Sequence, residues 1–186
     1  MTRQDVIAAL LDMLRPLGPM GDLETREREE AAWATQAAGD GSAIAALLDL
    51  ASNPPTGEER GRAAEETLQA QLAHVLALVG ARAPEAVIDR VGPLTTNAQA
   101  RATAIEVIGA IGEPAGLRWL APLVDAGDLS DHEATWLASS LGDIGTPEAK
   151  TLLERLRAQT PPERASVIRE IQIALDAIAR RGSARS

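Results

Sequence analysis

The sequence predicts an all-α chain, a right-handed α-solenoid of stacked antiparallel helix pairs with about ten helices in all. Three observations predict it. Ala supplies 36 of the 186 residues, Phe and Tyr are absent and Trp occurs three times, so helix formers abound and the aromatic runs of strands are missing. A helix pair is written twice between Asn97 and Gln159. Gly109, Ile111, Gly112 and Pro114 return 33 residues later as Gly142, Ile144, Gly145 and Pro147, and Leu120 and Leu123 return as Leu153 and Leu156. A fixed period in the thirties, each unit a helix, a tight Gly turn and a second helix, is the mark of stacked repeats. The last helical stretch has Val167, Ile168, Ile171, Ala174, Leu175 and Ile178 on one face and Arg169, Asp176 and Arg180 on the other, as a terminal cap should.

The elements follow in order within one domain, 1–186. Gln4 to Leu14 is a first amphipathic helix, broken by Pro16, Gly18, Pro19 and Gly21. Asp22 caps a helix from Leu23 to about Ala38, whose charged start (Glu24 to Glu30) reads as a solvated face. Ser42 caps a short helix through Ser52, and 1–52 together form degenerate N-terminal helices and a cap. An irregular repeat spans 56–92: Thr56 and Glu59 have capping-box spacing, Gly57 and Gly61 weaken the first turns, and Gly80 ends the helix. A short partner helix runs from Glu85 to Val91, and Gly92-Pro93 closes the unit.

The two clear repeats cover 97–125 and 131–159. In the first, Thr96 or Asn97 caps the helix to Ile111, and Pro114 opens the partner to about Val124, with Pro122 expected to kink or shorten it. In the second, Ser130 and Glu133 form a capping box and Thr146-Pro147 starts the helix to Gln159. Thr160 and Glu163 have the same spacing ahead of the capping helix, 161–181.

Arg101-Ala102-Thr103-Ala104-Ile105-Glu106-Val107-Ile108-Gly109-Ala110-Ile111-Gly112 resembles the R-x-x-A-A-x-A-L-G-x-I-G core of bacterial HEAT-like repeats, the kind found in phycobilin lyases and many scaffold proteins. In the second copy the Arg position is Ala134, while Leu141-Gly142-Asp143-Ile144-Gly145 stays close to the pattern. The resemblance implies the armadillo-type solenoid fold. It says little about function, because its motif describes packing.

Composition removes several function classes. Without Cys there is no disulfide, thiolate metal site or Cys nucleophile, and two histidines, His74 and His132, make no metal site unaided. No P-loop, dinucleotide glycine motif or His-Glu-x-x-His pattern is present, so the expectation is a non-enzymatic protein without metal or cofactor. No apolar run reaches about 18 residues, and Met1 to Asp5 leads into the first helix without a signal-peptide pattern. A cytoplasmic protein off the membrane is expected. The net charge of −9 divides into −13 through Ala149 and +4 from Lys150 onward, which disfavours an extended phosphate backbone as ligand.

Four residues are candidates for contact with a protein or peptide partner: Arg118, Trp119, Lys150 and Arg157. Trp119 lies about 100° from Leu120 on the helical wheel, and either packs on a neighbouring helix or anchors a groove. Leu117 and Val124 of the first copy become Lys150, the only Lys in the chain, and Arg157 in the second. Two cations seven apart share a helix face and can meet one anionic partner, or they snorkel over the end of the stack.

The leading expectation is a protein-protein interaction scaffold or adaptor that uses its helical groove. Two enzyme readings come with the HEAT-like resemblance. A bilin-handling lyase is opposed by the lack of Phe and Tyr, and a DNA glycosylase by the acidic body. A self-assembling structural module is the remaining alternative, with Ile173 on the polar face of the last helix as its point of interest.

Overall fold

Cap chemistry and glycine turns set where the helices start and stop. A computed structural model describes residues 1–13, 23–53 and 65–183, with side chains left undescribed at 65–70 and 183. Among the described residues the chain is all-helical, with no strand and ten α-helices. These are α1 (Arg3–Met13), α2 (Leu23–Ala38), α3 (Gly41–Ser52), α4 (Glu65–Gly80), α5 (Pro84–Val91), α6 (Arg101–Ile111), α7 (Leu117–Ala126), α8 (Asp131–Ile144), α9 (Pro147–Gln159) and α10 (Ala165–Ser183). No described helix is long and apolar enough to cross a membrane. The breakers Pro16 to Gly21, the cap Asp22, the Thr56–Glu59 box with Gly57 and Gly61, and residues 184–186 lie outside the described residues. The helices gather into two compact units, Met1–Arg90 and Val91–Ser186.

In the first unit α3 packs against α1, α2 and α4, and α4 also packs against α1 and α2. The α3 sequence accounts for its place. Ala43, Ile44, Ala46, Leu47, Leu50 and Ala51 are buried, a face too wide for one neighbour. Its cap is Asp40, not Ser42: the Asp40 carboxylate accepts from Ser42 N–H at 2.9 Å, and Ser42 instead donates its hydroxyl to Asp40 at 2.6 Å. A carboxylate at this position both accepts the free amide and faces the positive end of the helix dipole. Helix α2 meets α3 and α4 through small residues, Ala34 and Ala37. His74 is exposed on α4, with Nε2 3.2 Å from Glu30.

In the second unit α8 is the hub. It packs against α6 and α10 and also touches α7 and α9, while α7 and α9 pack on one another. The reason is close approach at Gly. A Cβ on Gly109 of α6 would lie 2.2 Å from Ser140 Oγ, and one on Gly142 of α8 would lie 2.8 Å from Ala174 Cβ on α10. The glycine therefore does the same job at each step. The turn glycines repeat as well: Gly112 and Gly145 end α6 and α8 in the left-handed region, at φ 72° and 67°, where a side chain would be strained. Leu120 and Leu153 are fully buried in α7 and α9.

Several boundaries differ from the expectation. Asn97 does not cap α6; its side chain accepts from Gln99 N–H in a local turn, after the 3-10 turn Gly92–Thr96, and the helix begins at Arg101. Pro114 opens a second 3-10 turn, Pro114–Gly116, before α7 starts at Leu117. Pro122 does not end α7, which runs on to Ala126; the proline is exposed, where a carbonyl left without its amide can be hydrated. The Ser130–Glu133 capping box forms in full, with Glu133 N–H to Ser130 Oγ at 3.2 Å and Ser130 N–H to Glu133 Oε2 at 2.9 Å. Thr160 turns the other way: its hydroxyl donates to the Leu156 carbonyl at 2.7 Å, closing α9, and α10 begins at Ala165.

Candidate binding edge

Helix geometry decides which side of α7 and α9 meets a neighbour. Taking Leu120 as zero and about 100° per residue, Leu117, Val124 and Asp125 lie at about 60°, 40° and 140°, and Trp119 lies at about −100°. Asp125 is ion-paired with Arg155 of α9, so the positive side of α7 faces α9. Leu117 and Val124 are on that side, and they are 3% and 1% exposed. The same positions on α9 are Lys150 and Arg157, and both are exposed. Among the described residues the helix that flanks this side of α9 is α10, which packs on α9 yet leaves Lys150 and Arg157 exposed. Arg157 donates to Gln172 Oε1 of α10 at 2.9 Å, and Lys150 Nζ is 3.6 Å from Glu154 one turn along.

At the Lys150 end the edge opens into a cleft of about 580 Å³. Ile144 and Ile178 are among its apolar lining, with Asp143, Thr146 and Arg181 as polar neighbours. Arg181 lies against Gly145 and donates to the Gly142 carbonyl, which places a cation at the C-terminal end of α8 where the helix dipole favours it. Burial raises the Asp143 carboxyl above its ordinary pKa, and the charge of Arg181 pulls it back. The cleft can therefore present two cations and one carboxyl above an apolar floor.

The four predicted residues do not form one cluster. Lys150 and Arg157 share the α9 edge and look toward α10. Trp119 sits on the opposite side of α7, with its ring on Gly92: a Cβ there would be 2.2 Å from the indole. Its Nε1 is buried without an acceptor among the described residues. Arg118 is exposed, its guanidinium carbon 5.6 Å from the Trp119 ring centroid. Packing against a neighbouring segment is thus the observed arrangement of Trp119. Arg181, Asp143 and Ile178 were missed by the sequence reading. Ile178 and Arg181, three apart at the end of one helix, were the available signal.

Elsewhere on this unit, Trp136 Nε1 donates to His132 Nε2 at 3.1 Å, and the rings meet edge to face at 6.1 Å. Ser140, one of the two mid-helix serines, is buried and spends its hydroxyl on the Ile105 carbonyl at 2.9 Å, so it is a packing residue. No family model, curated protein or solved structure matches the chain.

Proposed function

We propose that the chain is a non-enzymatic protein-protein interaction scaffold or adaptor, built as a HEAT-like α-solenoid and working in the cytoplasm. The observation that carries this reading is the exchange of a buried pair for an exposed one. Leu117 and Val124 are buried on α7, and their counterparts Lys150 and Arg157 stand open on α9. The repeated glycine contacts, Gly109 to Ser140 and Gly142 to Ala174, support stacking with a constant step. Stacks of helix pairs offer extended faces for polypeptides. Here the free edge is polar, which suits a partner that comes and goes better than a permanent core contact.

The test is affinity capture with the intact chain from source-cell lysate at low and moderate salt, read by mass spectrometry. One protein recovered in stoichiometric amount at moderate salt is the expected result. Recovery of nucleic acid or a chromophore in its place, or of nothing, would overturn the reading.

A further inference from the structure

We infer that the α9 edge docks an acidic amphipathic helix of a partner protein, in the place where the next helix of the layer would pack. This rests on the scaffold reading and goes further, because it names the surface and the chemistry of the partner. The shape comes from the internal repeat. On α7 the side carrying Leu117 and Val124 is covered, with Asp125 bridged to Arg155 of the next helix. The same side of α9 has the same spacing, but among the described residues only α10 flanks it, and Lys150 and Arg157 stay exposed. What belongs in that position is a helix lying along α9.

The chemistry comes from the substitution. Two apolar positions have become Lys150 and Arg157, seven residues apart and therefore on one face, about 10 Å apart along the axis. A helix with carboxylates two turns apart matches both cations. The cleft beside Lys150, with Ile144 and Ile178 in its lining, gives an apolar side chain of that helix somewhere to sit. Arg181 at the same cleft adds a third cation. Charge over the whole segment agrees: from Lys150 to Ser186 there are 8 basic and 4 acidic residues, in a chain of net −9. Glu154, 3.6 Å from Lys150, and Asp143 are the carboxylates the incoming helix must compete with.

The probe is a fluorescein-labelled synthetic helix with Leu at helical spacing and Glu at two positions seven apart, beside copies carrying Gln or Lys there. Binding to the intact chain is followed by anisotropy at low and moderate salt. The Glu helix should bind, and the Gln helix should bind roughly tenfold more weakly. Lys150→Glu with Arg157→Glu should lose the Glu helix and gain the Lys helix, and Glu154→Gln, which releases Lys150, should tighten the Glu helix. Both cations are exposed, so the double variant should melt as the parent does. Should it melt earlier, Lys150→Gln with Arg157→Gln removes the charge alone and must show the same loss.

Equal binding of the Glu and Gln helices, or unchanged Glu-helix binding by the charge-reversed chain, would overturn the inference. So would a dimer in light scattering that the charge-reversed variant dissolves, which would give the edge to a second copy. Polyphosphate bound as tightly as the Glu helix, and lost in the same variant, would make the edge a general polyanion site and also overturn it. A captured partner that the charge-reversed chain still holds would leave the scaffold reading standing and remove this one.

Discussion

Gly109 on α6 and Ser140 on α8 compete for the same volume: a Cβ at Gly109 would lie 2.2 Å from Ser140 Oγ and 2.6 Å from its Cα. The absence of a side chain at one residue is what lets the other keep its hydroxyl bond to Ile105. Gly109→Ala should therefore destabilise the fold by about 1–3 kcal/mol through overpacking, even though Ala is favoured over Gly in a helix by about 1 kcal/mol. Gly142→Ala should cost less, because its nearest atoms, Ala174 Cβ and Cα, are 2.8 and 3.2 Å away. Thermal melts of the two variants check both size and order. A Gly109→Ala protein as stable as the parent would mean that the helices are not in this close contact.

Gly92 and Trp119 pose the same problem with a larger ring. The indole covers Gly92 so closely that a Cβ would meet three ring atoms within 2.4 Å. Gly92→Ala should lower stability by about 1–3 kcal/mol. Trp119 is half-buried, so Trp119→Ala should cost less than the about 3–5 kcal/mol of deleting a core aromatic, on the order of 2 kcal/mol. A Trp119→Ala chain with an unchanged melting temperature would return Trp119 to the list of partner contacts.

Arg101 of α6 and Arg164, just ahead of α10, grip one loop. Arg101 donates Nε to the Thr95 carbonyl at 3.0 Å and reaches Asp128 at 3.4 Å and Glu133 at 3.8 Å. Arg164 donates to Asp131 at 2.6 Å and to the Leu129 carbonyl at 3.0 Å. The arginines are partly buried, at 15% and 24% side-chain exposure, while Asp128 and Asp131 are 60% and 62% exposed, so the carbonyl bonds are less diluted by solvent than these two ion pairs. Replacing either arginine by Ala should cost about 1–2 kcal/mol. Hydrogen exchange should accelerate at the amides of Leu129 to Asp131, and unchanged protection there would refute the clamp.

Glu106 gives a prediction whose sign is fixed. Burial raises its carboxyl above the ordinary value, while the charge of His132 works against that. Between the unfolded and folded values the folded chain holds the proton more firmly. Stability from this group is therefore present at low pH and falls as pH rises through the raised folded value. Glu106→Gln removes the titration. Its melting temperature should exceed the parent's at neutral pH and converge with it below the carboxylate range, roughly pH 4. A variant less stable at neutral pH would show that the charged form is the favoured one.

Much of this could be read from residues 33 apart. The glycines at 109 and 142, the turn glycines at 112 and 145 and the leucines at 120 and 153 all serve where the repeat placed them, because each answers to a local backbone or packing demand. The Ser130–Glu133 box was legible for the same reason. Arg164 was not. The Arg101 position is Ala134 in the second copy, and the loop-binding cation comes instead from 30 residues later in the chain, which only tertiary contact reveals. Ser42 was expected as the cap that Asp40, two residues earlier, supplies, and Thr96 or Asn97 as a side-chain cap that α6 does not have. Lys150 and Arg157 were visible as a pair. Their separation from Trp119 depends on which side of α7 the next helix covers, and that is set by tertiary contact.

Because the chain has no cysteine, single cysteines report cleanly on the docking edge. The most direct measurement is the rate of thiol labelling in Lys150→Cys, Arg157→Cys and Arg118→Cys proteins, with and without the Glu-bearing helix. Each single substitution leaves the other cation in place. The account predicts slower labelling at 150 and 157 when the helix is present and no change at 118. Protection at 118 alone, or equal protection at all three, would contradict it.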